Sequence, residues 1–200
     1  MNRTTIVIDR EYGSGGREVA RILSEKLGIA FYDGNLLIQA GEQSGINLSI
    51  LRDYDERGVG SILHDLAMVS SCMSGDSKAE QPFMAYEAQA RLMTQLVQQS
   101  PCIFLGRCAA DILAGQTPLL RVFIYASNLT DRIDRAVNTD HIPEKSAPAY
   151  IRRKDQQRKN YQKYFTQKTW GEPANYDMML NTSVLNYEKA ADIIIAALDK

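Results

Sequence analysis

Between Asp9 and Glu18 the chain gathers the residue types that hold phosphate. Ile6-Val7-Ile8-Asp9 runs into Arg10-Glu11-Tyr12-Gly13-Ser14-Gly15-Gly16-Arg17-Glu18, a short apolar run followed by a glycine-rich turn. Gly13, Gly15 and Gly16 permit tight turns and close backbone approach. With Ser14 they form a loop whose N–H groups would face an anion at the start of the following helix, aided by its dipole. The loop departs from the pattern G-x-x-x-x-G-K-[ST], because Arg10 stands where the first glycine belongs and Gly15 is followed by Gly16 and Arg17 rather than by lysine. Arg17 is the cation inside the turn and is expected to replace the lysine with a planar, bidentate group. Glu18 falls where a magnesium-binding hydroxyl is expected; a carboxylate can hold Mg²⁺ but also repels phosphate.

Two more sets of residues point to the same chemistry. Asp33 and Arg107 each follow a short apolar run, Ile29-Ala30-Phe31-Tyr32 and Cys102-Ile103-Phe104-Leu105. A charge at the carboxyl end of a parallel strand lies where open α/β sheets bind ligands. The segment from Ile151 to Tyr161 holds five cations and one acid. Arg152, Asp155, Arg158 and Lys159 lie at helical spacing and share roughly one face. With Arg153, that face is expected to close over phosphates as a lid that excludes water and neutralises charge. A solvated helix face is the plainer reading of such a charge run.

The elements that must position these groups alternate along the chain. Strands are expected at Ile6–Ile8, Ile29–Tyr32, Cys102–Leu105, Leu119–Tyr125 and Tyr176–Leu180, predominantly apolar runs of strand length. Between them, helical periodicity marks the residues after Gly16 up to a Gly28 cap, a helix from Leu36, and the segments Phe83–Gln99, Leu129–Val137, Ala149–Phe165 and Tyr187–Leu198. Leu48–Met73 is helical but interrupted at Gly58 and Gly60, and Ser74–Pro82 reads as a loop. The alternation predicts a five-stranded parallel sheet with helices on both faces.

The 200 residues, 44% hydrophobic and 24% charged, suit one α/β domain with a lid. The net charge of −1 argues against non-specific nucleic-acid binding. No run of 18 apolar residues occurs, so no membrane span is expected, and a cytoplasmic setting is. Cys72, Cys102 and Cys108 lack metal-ligand spacing and read as three ordinary thiols. Amphipathic, methionine-bearing segments between Ile62 and Val97 would serve either as a homodimer interface or as internal core.

The order of these motifs resembles the cytidylate kinase-like family, a diverged branch of the P-loop nucleoside monophosphate kinases. Ile6-Val7-Ile8-Asp9 with Gly13-Ser14-Gly15, Phe31-Tyr32-Asp33 and Leu105-Gly106-Arg107 resemble the start, second strand and acceptor-contacting strand end of cytidylate kinase. Phe123-Ile124-Tyr125-Ala126 with Asp131-Arg132-Ile133 resembles the strand and helix before the lid. Asp155 with Arg158, Tyr161, Tyr164 and Thr166, then Trp170-Gly171 and Asn175-Tyr176-Asp177, is similar to the cytidylate kinase-like branch. Cytidylate kinase has glycine, lysine and threonine where this chain has Arg10, Gly16 and Glu18.

The resemblance implies one P-loop kinase-like domain over residues 1–200, with a helical acceptor-binding region at 34–100 and a lid-like helical segment at 140–175. It implies an ATP- and Mg²⁺-dependent phosphotransferase acting on a nucleotide, nucleoside or other small acceptor. Gly13, Ser14, Gly15, Gly16, Arg17 and Glu18 would hold the phosphates, Asp33, Arg107 and Arg152 the acceptor, and Arg17, Arg153, Asp155 and Arg158 would act in catalysis. The alternative is a nucleotide- or anion-binding module without turnover, as the missing lysine suggests. A dinucleotide-binding enzyme is disfavoured, because Gly13-Ser14-Gly15-Gly16 lacks the third glycine of G-x-G-x-x-G at Glu18.

Overall fold

The structure, a computed structural model, describes residues 4–43 and 81–198. Five strands form one parallel sheet: β1 (Thr5–Arg10), β2 (Ala30–Tyr32), β3 (Cys102–Leu105), β4 (Leu119–Tyr125) and β5 (Met178–Asn181), in the order β2-β3-β1-β4-β5. The helices are α1 (Gly16–Leu27), α2 (Gly34–Gln43), α3 (Gln81–Gln99), the short α4 (Ala109–Ile112), α5 (Leu129–Asn138), α6 (Ala147–Thr166) and α7 (Tyr187–Ala197). This is the architecture expected: a parallel five-stranded sheet flanked by helices.

β1 lies at the centre, and its side chains alternate between two cores. Ile6 and Ile8 pack with Val19, Leu23, Ala191 and Ile194 of α1 and α7. Val7 packs on the other face with Ile38, Leu92, Met93 and Phe104. A strand buried on both faces must be apolar at every position, which is why its sequence does not alternate. Each fully buried aliphatic here contributes about 1.5–3 kcal/mol relative to exposure. Leu92 and Met93 are thus core; residues 62–80 of the segment expected to supply an interface or core lie outside the described residues. Cys102 and Cys108 are buried free thiols, and burial pushes Cys102 up to about 11. Cys72 also lies outside the described residues.

Of the element boundaries that differ from expectation, three starts have a clear local cause. α3 starts at Gln81, inside the expected loop, because Pro82 falls in the first turn, where no N–H is needed. For the same reason Pro148 does not delay α6, which begins at Ala147. β5 starts at Met178 rather than Tyr176, since the preceding Pro173–Asn175 forms a 3₁₀ turn and the Tyr176 ring turns aside onto Phe123. The helix expected from Leu48 and the rest of the loop before Gln81 fall on residues not described. Among the described residues no helix is long and apolar enough to cross a membrane.

Candidate active site at the carboxyl rim of the sheet

β1, β2 and β3 all point their carboxyl ends at one cavity of about 590 Å³. The glycine loop forms one wall, the residues after β2 and β3 another, and one face of α6 the third. The loop is held from several sides. The Tyr12 N–H donates to Asp155 Oδ1 at 2.7 Å, and Arg132 Nε donates to the Tyr12 carbonyl at 2.7 Å. Arg132 also pairs with Asp155 and lies 3.4 Å from Glu11. The Ala126 N–H donates to Glu11 Oε2 at 3.2 Å, and Thr182 Oγ1 donates to the Ser14 carbonyl at 2.7 Å. The loop geometry is therefore fixed before any ligand arrives, as a preorganised anion cradle requires.

Within the loop, Gly15 has φ +78°, and a Cβ there would come 2.6 Å from Cζ of Tyr187. Gly16 opens α1, so its N–H and those of Arg17 and Glu18 have no intrahelical acceptor. Gly13, Gly15 and Gly16 line the cavity. Ser14, expected to bind phosphate, does not: its buried hydroxyl donates to the carbonyls of Glu11 (2.9 Å) and Ile124 (3.1 Å). It closes the turn from inside.

Arg17 leaves the loop. Its guanidinium pairs with Asp33 at 2.8 Å and is 66% exposed, and both residues line the cavity. Glu18 lines the cavity but pairs with Arg21 (Nε at 3.0 Å), which holds its carboxyl below the usual range. The cation that enters the loop region is Arg10, absent from the expected site. Its side chain passes over Gly16 and its guanidinium reaches Gly106 at the end of β3.

α6 presents a different face from the one expected. Lys154, Gln157, Arg158 and Tyr161 line the cavity, at i, i+3, i+4 and i+7. Arg152, Arg153 and Asp155 do not line it. Ile151 and Asp155 are buried against α5 and the loop. Burying that stripe sets the rotation of the helix, turning Arg152 to solvent and laying Arg153 over the Tyr150 ring at 5.0 Å. Arg158 keeps its expected place beside the phosphate loop. It donates to the Arg10 carbonyl at 2.7 Å, lies 3.9 Å from Asp155 and stacks over Tyr12 at 5.6 Å. Burial pulls its pKa down, and Asp155 and Asp9 oppose that.

Gly106, Arg107 and Cys108 all have positive φ. This bend projects Arg107 into the cavity, with its guanidinium 5.9 Å from the Tyr161 ring centroid. Gln89 Nε2 donates to the Arg107 carbonyl at 3.0 Å and fixes the turn. Burial pushes the Tyr161 hydroxyl up to about 12 against the pull of Arg107. Asp9 sits at the bottom of the cavity and accepts from the Tyr176 hydroxyl at 3.2 Å. Burial raises its pKa, against the opposing pull of Arg10, Tyr176 and Arg158. Among the described residues no three metal-ligating side chains converge.

Sequence reasoning missed Glu11, Tyr12, Arg132 and Arg10. The first three act through backbone and ion-pair contacts between elements distant in sequence, which no local pattern reports, although Arg132 stands within the Asp131-Arg132-Ile133 resemblance. Arg10 had a signal, a cation at the first-glycine position, but it read as a loss rather than as a replacement.

The cytidylate kinase-like family matches over residues 5–184. No curated protein sequence matches the chain at a significant level. An uncharacterized protein from Eubacterium ventriosum superposes with a TM-score of 0.74 at 22% identity, covering 99% of each chain. Shikimate kinase from Bacteroides thetaiotaomicron gives 0.53 at 11% identity, over 98% of this chain and 99% of that one. The Mycobacterium tuberculosis APS kinase CysC, in complex with AMPPNP and APS, gives 0.52 at 17% identity over 100% of each. At these identities the likeness is one of fold.

Proposed function

The chain belongs to the cytidylate kinase-like family, and from that premise we propose that it is an ATP-dependent phosphotransferase acting on a nucleotide, nucleoside or other small acceptor. The observation that carries this reading is the convergence of three arginines from three elements, Arg10, Arg107 and Arg158, on a cavity walled by the glycine loop. Phosphoryl transfer asks a protein mainly for positioning and charge neutralisation, and such a cavity supplies both.

The residues fit a nucleoside triphosphate. Gly13, Gly15 and Gly16 line the cavity, and the first-turn N–H groups of α1, which have no intrahelical acceptor, would donate to phosphate oxygens. A magnesium ion bound through phosphates needs only one or two protein carboxylates, and Asp9 and Glu18 border the cavity. When bound, ATP supplies the transferable phosphoryl group and Mg²⁺ offsets its charge. The chain's own groups do the rest. The loop N–H groups hold the donor phosphates, and Arg158 faces the group in transfer from α6. Residues 140–175 act as the lid, and Lys154, Gln157 and Tyr161 exclude water from that side. The acceptor lies between Arg107 and the start of α2, with Asp33 orienting an acceptor hydroxyl once Arg17 lets it go. Asp155 positions Arg158 and the loop rather than touching substrate.

Isothermal titration with ATP, with and without Mg²⁺, followed by a phosphotransfer screen of nucleosides and nucleoside monophosphates, tests the reading. Mg²⁺-dependent ATP binding and label transfer to one acceptor class are expected. No binding at millimolar ATP sinks it. Gly16 in place of the lysine favours a second reading, a nucleotide-binding module without turnover, for which ATP would bind and no acceptor would be labelled.

A further inference from the structure

Arg10 and Gly16 occupy each other's expected chemistry. A Cβ on Gly16 would lie 2.6 Å from Cβ and 2.9 Å from Cγ of Arg10, so the stem of Arg10 runs through the space where a side chain at position 16 would begin. No residue larger than glycine fits at 16 while Arg10 stays in place. Further along, the Arg10 guanidinium lies where a Cβ on Gly106 would point, with Nη1 overlapping it and Cζ 3.6 Å away. Two glycines, one on the loop and one after β3, are thus the walls of a channel that this one side chain fills.

The channel leads into the cavity. Arg10, Gly16 and Gly106 all line it. The backbone of Arg10 is fixed by its place in β1 beside β4 and by Arg158 Nη1 on its carbonyl at 2.7 Å. The other cation of the loop, Arg17, is turned to Asp33 at the mouth. A cation at the end of β1 and a glycine at the start of α1 have the same sum of side chains as a glycine at the end of β1 and a lysine at the start of α1. The charge reaches the phosphate loop from the strand side instead of the helix side.

We propose that Arg10 is the phosphate-binding cation of this loop, replacing the missing lysine through a steric exchange with Gly16. The inference rests on the nucleotide-binding reading above and adds which residue carries the charge. A guanidinium there is permanently charged and offers a planar fork to two phosphate oxygens, where an ammonium offers a point charge. Its short reach from a rigid strand leaves little side-chain freedom to be lost on binding.

The test combines binding and stability. Titrate the full chain with MgATP and with inorganic tripolyphosphate, using wild type, Arg10→Ala, Arg10→Lys and Arg17→Ala, with thermal melts to confirm folding. Charged hydrogen bonds of this kind predict a loss of about ten- to a hundredfold in affinity for both ligands in Arg10→Ala. Arg10→Lys should recover part of it, and Arg17→Ala should lose less affinity than Arg10→Ala does. In parallel, measure melting temperatures of Gly16→Lys, Arg10→Gly and the double variant R10G/G16K. Gly16→Lys alone should melt lower than wild type, and R10G/G16K should regain both stability and tripolyphosphate binding. Binding in a folded Arg10→Ala equal to wild type, or a Gly16→Lys variant as stable as wild type, overturns the proposal. A wild type that binds neither ligand fails at the first titration. That outcome removes the nucleotide reading along with the inference and is told apart from an Arg10-specific failure by occurring without any substitution.

Discussion

Arg17 and Asp33 meet across the mouth of the cavity, with Nη2 2.8 Å from a carboxylate oxygen, and so join the first turn of α1 to the end of β2. Each was expected to face a different substrate, the donor phosphates and the acceptor. Paired, they tie the two halves of the site together. The arginine is 66% exposed, so the pair competes with water and salt.

The pair should therefore add little to folding. Arg17→Ala is expected to change unfolding free energy by about 0–1 kcal/mol, the range of exposed ion pairs. Urea denaturation at low and high salt measures it, and the small effect should shrink further as salt rises. A loss well beyond that range would mean the contact is a structural anchor and not a releasable one.

Asp155 is the opposite case. It is buried, accepts the Tyr12 N–H at 2.7 Å and pairs with Arg132, which is itself only 8% exposed. Asp155→Ala would strand a buried guanidinium and a backbone donor together, at a cost of about 3–5 kcal/mol. Asp155→Asn keeps an acceptor for Tyr12 and should cost less. Chemical denaturation ranks the two variants, and hydrogen exchange at Tyr12 and Gly13 should accelerate in both. If Asp155→Ala unfolds no more easily than wild type, Asp155 does not anchor the loop and its pairing with Arg132 contributes nothing net.

That anchoring explains which parts of the site were legible. β3 and β4 fall at the residues expected, Cys102–Leu105 and Leu119–Tyr125, because the continuous apolar stretches Cys102–Leu105 and Val122–Ile124 are buried on both faces, as a parallel sheet requires. Asp33 and Arg107 could be placed at the rim for the same reason, since a charge ending such a run must emerge there. The rotation of α6 could not be read. Its charged residues surround the helix, and the buried stripe contains an aspartate, Asp155, whose partners Tyr12 and Arg132 are distant in sequence. The direction of Arg10 was hidden too, because it depends on the space left by Gly16 and Gly106.

Asp9 gives the site a pH signature. Burial raises its pKa above the unfolded value, with Arg10, Tyr176 and Arg158 opposing. The folded chain therefore holds this proton more tightly than the unfolded chain. The resulting stabilisation is complete below the ordinary carboxylate value, about 3.9, and is lost as pH rises through the folded value. At neutral pH the ionised group is a net burden, so Asp9→Asn should be more stable than wild type near pH 7, while still accepting from Tyr176. The advantage should close as pH falls toward 4. Urea denaturation of both proteins across that range tests this, and a gap of constant size at every pH would rule out a raised Asp9.

Gly15 and Tyr187 bring the loop and α7 into contact. At Gly15 a Cβ would fall 2.6 Å from Cζ of Tyr187, and φ is +78°. The ring cannot move freely, since Arg135 lies over it at 5.3 Å and its Nη1 reaches the Tyr187 hydroxyl at 3.4 Å. Gly15→Ala thus carries two penalties, the collision and the left-handed backbone, the second alone on the order of 1–2 kcal/mol. Tyr187→Ala removes the ring, with its core packing and its contact to Arg135, and so takes away what a Cβ at position 15 would strike. In a double-mutant cycle read by denaturation, Gly15→Ala should destabilise strongly. The pair Gly15→Ala with Tyr187→Ala should lose less than the sum of the two singles, because the steric part of the Gly15→Ala penalty disappears when the ring is gone. Strict additivity would show that the ring yields at no cost and that the backbone conformation alone demands glycine here.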